Sequence, residues 1–150
     1  MGDLIIRDAT RADLAVLRDL FLQARRETFH WTDPLLFRLQ DFDIQTEGEA
    51  VMVAEVEGLI AGFVSWWAPE NFVHHLFVGK SYMRRGIGKS LLQAALSRME
   101  GPARLKCSQR NESAIAFYVA LGWRVLEPGH SEDGPYFLME FPGRTKTPES

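Results

Sequence analysis

Cysteine is almost absent from this sequence, with Cys107 alone among 150 residues. A single cysteine excludes an internal disulfide framework and a cysteine-rich zinc site, and it is typical of proteins in a reducing compartment. We therefore expect a cytoplasmic protein without a metal centre. Cys107 falls in a short apolar pattern typical of a strand, which indicates a packed side chain rather than a nucleophile.

Long apolar runs and an excess of positive charge are also missing. No window approaches the roughly 20 apolar residues that a membrane-spanning helix needs, so we expect no membrane contact. The formal net charge is −3. Because non-specific nucleic-acid binding depends on a broad basic surface, we expect no nucleic-acid partner.

The apolar content, 46% of the residues, suffices for one well-buried core. We predict one domain over residues 1–142 and a solvated polar tail over 143–150. Apolar periodicity and turn signals predict the order β α α β β β α β α β β, which indicates a mixed sheet with helices on both faces. The predicted helices are 11–29, a weak stretch 34–42, 86–100 and 112–122, and residues 43–49 are predicted to form a polar break. The predicted strands are 4–10, 50–56, 59–67, 71–78, 103–108, 123–128 and 136–141.

The stretch "MRRGIGKS", residues 83–90, resembles a phosphate-binding loop. A strand enters it and a helix leaves it, so free amides and the positive end of a helix dipole converge beside two glycines and three basic side chains. A nucleotide triphosphatase loop needs glycine where Met83 stands, and the dinucleotide pattern needs glycine where Leu91 stands. A strand-to-helix turn with solvated basic residues is the other interpretation.

The second informative stretch is "QRNESAIAFYVALGW", residues 109–123. On a helix that Asn111 would cap, Ala114, Phe117, Tyr118 and Leu121 share one face. The helix face that is expected to be mostly buried therefore carries the tyrosine hydroxyl. On residue type alone, core packing is a more frequent role for such a tyrosine than catalysis.

Taken together and in this order, "LFVGKSYMRRGIGKSLL" and "NESAIAFYVALGW" resemble the GNAT superfamily of acyl-CoA-dependent N-acyltransferases. The first matches the family pattern Q/R-x-x-G-x-G/A and the second N-x-x-A-x-x-F-Y. The resemblance implies an α/β (α+β) fold, a mostly antiparallel sheet of about seven strands with about four helices on both faces. It also implies acetyl transfer from acetyl-CoA to a primary amine, directly within a ternary complex. A non-catalytic acyl-CoA-binding regulatory module is the alternative.

Site residues follow from the resemblance, position by position. The backbone of Leu76, Phe77 and Val78 would pair with the pantetheine arm. Asn111 would contact the pantetheine or the reacting region, Phe117 would line the cofactor's path, and Tyr118 would be the general acid at the thioester sulfur. The loop that would hold the CoA pyrophosphate comprises Arg84, Arg85, Gly86, Ile87, Gly88, Lys89 and, at its margin, Ser90. Met83 departs from the usual Gln or Arg.

The acceptor amine must lose a proton, which requires a base or a water relay. Adjacent strand residues point to opposite faces, so His74 and His75 should not share a metal ion. His74 should share a face with Phe72, Leu76 and Val78, where parts of the family carry the base, and it is our candidate. A packed, hydrogen-bonded histidine is the alternative role for His74, and Glu70 is the second candidate base.

The acceptor side of the cleft is less defined by the sequence. The resemblance places the acceptor pocket near His30 and Trp31, with Trp66 and Trp67 nearby, and these aromatic residues suit core packing equally well. The acceptor would be a small-molecule or peptide amine, and a homodimer is one assembly left open.

Overall fold

Seven strands form a single mixed sheet in the computed structural model, which describes residues 3–143. Their spatial order is β1-β2-β3-β4-β5-β7-β6, and every neighbouring pair is antiparallel except β4 and β5. The strands are β1 Leu4–Asp8, β2 Ala50–Val56, β3 Leu59–Trp67, β4 Phe72–Val78, β5 Ala103–Ser108, β6 Arg124–Ser131 and β7 Gly134–Phe141. The predicted fold class is confirmed. The predicted tail, 143–150, lies outside the described residues except for Gly143, and the domain boundary at 142 stays a prediction.

Four α-helices cover the two faces of this sheet: α1 Leu14–Thr28, α2 Asp41–Gln45, α3 Ile87–Leu96 and α4 Glu112–Ala120. On one face, the apolar stripe of α3 and the inner side of α4 pack over Val64, Met139 and Trp123. On the other face, α1 and α2 pack over Val53 and Phe63 through Leu17, Phe21 and Phe42. Since successive strand residues point to opposite faces, Phe63 and Val64 anchor different layers.

The predicted helical stretch 34–42 is wrong in its placement. Pro34–Leu36 forms one 3-10 turn, while α2 begins at Asp41 and extends into the segment predicted as a polar break. Leu35 and Leu36 are exposed, so this turn has no apolar packing to prolong it. Phe42 instead is 2% exposed and contacts Phe21 and Phe63 edge to face. Tertiary packing therefore decides where the short helix forms.

The sheet opens between its two parallel strands. A single residue pair, Phe72 with Arg104, joins β4 to β5, whereas β4 pairs with β3 along almost its whole length. Beyond Phe72, the edge of β4 that faces β5 carries no ladder. The chain thus leaves the second half of a central strand open on one side.

A register shift interrupts β3 and β4 at this same level. Ser65 pairs with His75, yet the next residue, Trp66, pairs with Val73, so His74 is the extra residue of a bulge. A bulge re-aims side chains and is common beside functional sites.

Among the described residues, no helix is long and apolar enough to cross a membrane.

Gly62 allows β3 and β4 to lie side by side, and its substitution tests that contact. A Cβ at Gly62 would lie 2.6 Å from the Phe77 carbonyl oxygen and 3.2 Å from the Val78 Cα. Since these are backbone atoms, we expect Gly62→Ala to lower the free energy of unfolding in urea by about 1–3 kcal/mol. In Gly88→Ala, the new Cβ meets side chains at ordinary contact distance, the Phe117 ring at 3.6 Å and the Val78 Cγ2 at 3.7 Å, so this variant should be as stable as the wild type or more so. If Gly62→Ala and Gly88→Ala have equal stabilities, the close approach of the β4 backbone to Gly62 is contradicted.

Candidate active site

A cavity of about 500 Å³ occupies the opening between β4 and β5. Its walls come from both faces of the sheet. Leu76, Val78 and Tyr118 belong to the α3 and α4 side, and Phe21, Arg25 and Phe77 belong to the α1 side. One ligand can therefore enter from each face and meet the other at the gap.

The loop before α3 is a candidate anion site beside this cavity. Gly86 is the N-cap residue, with φ of 76°, and the first helical backbone bond runs from the Ser90 amide to its carbonyl. Because glycine has no side chain to cap the helix, the amides of 87–89 stay free for a ligand. Arg84 also has positive φ, at 67°, a conformation that side chains other than glycine rarely adopt.

Three cations surround these amides. Arg84, Arg85 and Lys89 are exposed, and none makes a side-chain hydrogen bond or ion pair with a described residue. Arg85 lies over the Tyr82 ring at 5.6 Å. Free amides at a helix N-terminus with free guanidinium groups suit a pyrophosphate. Met83 is half exposed and lines the cavity. It supplies no charge, so the anion site depends on its neighbours.

Tyr118 reaches the cavity from α4. Asn111 caps this helix, since its side-chain oxygen accepts from the Ala114 amide at 3.2 Å, and it lines the cavity as well. Phe117 packs beside Tyr118 and comes within 3.6 Å of the position a Cβ on Gly88 would take. The Tyr118 hydroxyl makes no hydrogen bond with a described residue. It is available to a ligand in the cavity.

Burial, and secondarily the neighbouring Cys107, raise the pKa of Tyr118 above its ordinary value of 10. The phenol therefore stays protonated at neutral pH and can donate a hydrogen bond. Cys107 is buried, as predicted, and burial raises the pKa of its thiol to about 11. A thiol that stays protonated is a poor nucleophile.

The prediction that His74 and His75 point to opposite faces, unable to share an ion, is wrong. Their ring centroids lie 4.7 Å apart, and their ligating atoms lie within 4.8 Å of one another and of Glu49. Leu76 and Val78 pack in the core under α3, whereas both histidines contact residues of α2 and the following turn. His74 therefore does not share the face of Leu76 and Val78. The bulge is the cause, because two successive residues oppose Ser65.

His75 is a neutral, fully hydrogen-bonded histidine. Burial, then the proximity of His74 and Arg25, lower its pKa from 6.5 to about 3. Its Nδ1 accepts from the Ser65 hydroxyl at 2.8 Å, and its Nε2–H donates to the Gln45 side-chain oxygen at 3.1 Å. Both nitrogens are engaged, so we assign no metal ion to this cluster.

His74 differs from its neighbour in exposure. Its side chain is 48% exposed and lines the cavity. The Nδ1–H donates to an oxygen of Glu49 at 2.6 Å. Its Nε2 has no partner among the described residues, so one nitrogen is fixed while the other is open.

The α1 side of the cavity, where the acceptor pocket was expected, is aromatic and contains the buried cation Arg25. Arg25 is 6% exposed, lies over the Phe21 and Phe37 rings, and pairs with Asp41 at 3.0 Å. Of the predicted acceptor residues, Trp31 lines the cavity, whereas His30 contacts the Trp31 ring edge to face and does not line the cavity. Trp66 is in the core under α3. Trp67 and Glu70 are exposed outside the cavity.

Sequence reasoning missed Glu49, Gln45, Ser65 and Arg25. Glu49 and Gln45 lie in the segment interpreted as a polar break, where nothing but their polarity distinguished them. Arg25 is one of several basic residues on α1. Ser65 was the one usable signal, because it is a lone hydroxyl residue in an apolar strand and a buried hydroxyl requires a hydrogen-bond partner. In the structure Ser65 is 0% exposed.

The neutral state of buried His75 predicts a specific loss of stability in acid. Unfolded histidine binds its proton near pH 6.5, whereas the folded ring does so only near pH 3. Between these values the unfolded chain holds more protons, so stability falls as the pH falls, by up to about 1.4 kcal/mol per pH unit from this residue. Urea unfolding from pH 6.5 to 4 should show a shallower dependence in His75→Gln than in the wild type. His130→Gln, at an exposed histidine, should match the wild type. If the stability falls equally with pH in all three proteins, the neutral state of His75 is contradicted.

Comparison with known proteins agrees with this geometry. The acetyltransferase (GNAT) domain family matches residues 35–140. The peptidyl-lysine N-acetyltransferase YiaC of Escherichia coli strain K12 is 29% identical over 147 residues, covering 92% of this chain and 97% of the relative.

Solved structures show the same fold. The PaiA N-acetyltransferase of Thermoplasma acidophilum, in complex with coenzyme A, has a TM-score of 0.78 at 19% identity, covering 93% of this chain and 99% of the other. The ribosomal-protein-S18-alanine N-acetyltransferase of Escherichia coli has a TM-score of 0.75 at 19% identity, covering 99% of each chain. The resemblance noted in the sequence is confirmed: this chain belongs to the GNAT family of acetyltransferases, enzymes whose cosubstrate is acetyl-CoA.

Proposed function

We propose that this protein transfers the acetyl group of acetyl-CoA to a primary amine, directly within a ternary complex. The observation that carries the proposal is the gap between β4 and β5, which places Tyr118 and His74 in one cavity beside the free N-terminus of α3. Because the cavity is lined from both faces, donor and acceptor can be bound together. No covalent enzyme intermediate is required.

The residues around the gap fit acetyl-CoA. The free amides of 87–89 with Arg84, Arg85 and Lys89 would hold the pyrophosphate, and Ser90 borders them. The unpaired edge of β4 at Leu76, Phe77 and Val78 would bind the pantetheine amides as an added strand. Asn111, which lines the cavity, and Phe117, which lies beside Gly88 without lining the cavity, would border the cofactor's path between these two regions. When bound, acetyl-CoA supplies the acetyl group as a thioester and leaves as a thiol.

Two side chains would move the protons. Nε2 of His74 is the open nitrogen that would accept the proton of the acceptor amine as the amine attacks the thioester carbonyl. The Tyr118 hydroxyl would donate to the sulfur as the carbon–sulfur bond breaks. A free backbone N–H of β4 would polarise the carbonyl. With its raised pKa, Tyr118 stays protonated until the thiolate forms beside it.

The acceptor class that the comparisons support first is a protein amine, since YiaC is named for peptidyl-lysine and a solved neighbour for a ribosomal-protein alanine. The aromatic side of the cavity, at Phe21, Phe37 and Trp31, suits the methylene chain of a lysine. Small-molecule amines remain candidate acceptors, to be tested beside peptides. The cytoplasmic location and the homodimer stay predictions.

Cofactor binding gives the first test. Acetyl-CoA at about 100 times its Kd should raise the melting temperature by about 5 °C or more. In Arg84→Gln/Arg85→Gln the same concentration should give a smaller shift, because two phosphate partners are lost. Arg11→Gln, an exposed arginine on the other end of the chain, should behave as the wild type. If neither acetyl-CoA nor CoA shifts the wild type, the proposal is wrong; binding without thiol release on any acceptor would favour the regulatory module.

Tyr118→Phe tests the general acid. We expect kcat to fall by about 100-fold with little change in the KM for acetyl-CoA, because the hydroxyl acts on the leaving sulfur rather than in binding. The melting temperature should not fall, since this hydroxyl bonds no described residue. Tyr136→Phe is the matched control, because it also removes a tyrosine hydroxyl from a residue that lines the same cavity but has no assigned role. Full turnover by Tyr118→Phe would refute the assignment.

A further inference from the structure

The pairing of His74 with Glu49 is the feature of the cavity that the proposed reaction does not yet explain. Glu49 directly precedes β2, in a turn where Gly48 has φ of 77°. A Cβ on Gly48 would lie 3.3 Å from the Trp67 ring, so this turn passes close to β3. The turn brings the Glu49 carboxylate to the bulge of β4.

The carboxylate is buried at a cost. The Glu49 side chain is 5% exposed, and the His74 ring is its sole hydrogen-bond partner among the described residues. Its other oxygen, Oε1, is buried without a partner among the described residues. An unpaired buried acceptor costs about 1–3 kcal/mol of stability. The one side-chain hydrogen bond that the described residues give this carboxylate is therefore with the histidine.

The direction of the hydrogen bond decides the state of the ring. A carboxylate oxygen can only accept, so the nitrogen 2.6 Å away, Nδ1, carries the proton. In the neutral imidazole, Nε2 then carries the lone pair and has no partner. In enzymes with a catalytic carboxylate–histidine pair, the carboxylate likewise accepts from Nδ1–H, which leaves Nε2 unprotonated as the base.

We propose that Glu49 is a positioning residue that fixes the tautomer and orientation of His74, so that Nε2 faces the cavity as a base. The proposal rests on the base role proposed for His74. Among the charged or titratable groups near the pair, the His75 ring is neutral, Arg25 beside His75 is paired with Asp41, and Arg11 lines a second hollow together with Glu49. An ion shared by Glu49, His74 and His75 would need His75 to give up Ser65 or Gln45, and it is one outcome of the test.

Glu49→Gln is the first variant. Its side chain can accept from Nδ1–H through its oxygen or donate to Nδ1 through its nitrogen, so the ring is no longer held in the Nδ1–H tautomer and Nε2 carries the proton part of the time. With acetyl-CoA and a lysine peptide that has a blocked N-terminus, kcat should fall about 10-fold or more. The KM for acetyl-CoA should stay within about 2-fold, because Glu49 does not face the cofactor. Glu49→Asp, which keeps the carboxylate, should recover part of kcat. Glu47→Gln, at an exposed glutamate two residues away, should match the wild type.

A double-mutant cycle separates positioning from a structural effect. In a His74→Gln background, Glu49→Gln should lower kcat by less than about 2-fold, because Glu49 has no base left to position. The same loss in both backgrounds would overturn the proposal. So would a fall in melting temperature without a change in kcat, or wild-type activity that a chelator abolishes and Zn²⁺ restores.

The tautomer can be read without turnover. The ring ¹⁵N shifts of neutral His74 should report Nδ1–H in the wild type and a shift toward Nε2–H in Glu49→Gln; identical shifts in the two proteins would overturn the proposal. This measurement needs no acceptor. If the wild type acetylates no amine but the tautomer responds to Glu49, the proposed function fails while the positioning holds.

Discussion

The separation of β4 from β5 is the constraint on which the whole site depends. A sheet of continuous ladders would satisfy every backbone group of β4 and leave no room for a ligand. Here one pair, Phe72 with Arg104, holds the parallel strands together, and the remainder of the edge is open. Because buried backbone groups must find partners, this edge favours a ligand with amides of its own. The open edge thereby suits the proposed binding of a pantetheine arm before any side chain contributes.

The bulge in the same strand adds chemistry to that opening. It places two successive histidines on one side of the sheet and gives them different surroundings. His75 is buried, bonded at both nitrogens and kept neutral, while His74 is exposed at one nitrogen and bonded at the other. Two identical side chains thus acquire separate tasks through their environment, as happens with paired titratable groups in active sites. The neutral ring also spares its neighbour the repulsion of a second positive charge.

The sequence predicted the backbone framework well and the site in part. Gly86, Gly88 and the apolar stripe of α3 predict the candidate anion site because these features are local: a turn, a helix start and three basic side chains. Asn111 and Tyr118 line one cavity in the structure, and they could be singled out because helical periodicity fixes which residues share a face. The orientation of His74 was wrong, since a bulge depends on register with β3 rather than on local pattern. Glu49 was missed because its role comes from contact with a residue 25 positions away.

The two groups proposed to move protons, Tyr118 and His74, lie in opposite surroundings. Tyr118 reaches the gap from the α4 side with its hydroxyl free, and burial raises its pKa, so the phenol is protonated at neutral pH and would donate a hydrogen bond to a thiolate that forms beside it. His74 stands on the side of α1 and α2 with water access, and its proposed role requires an unprotonated Nε2 before an amine arrives. A cavity lined from both faces of a split sheet supplies these two environments within one reaction space.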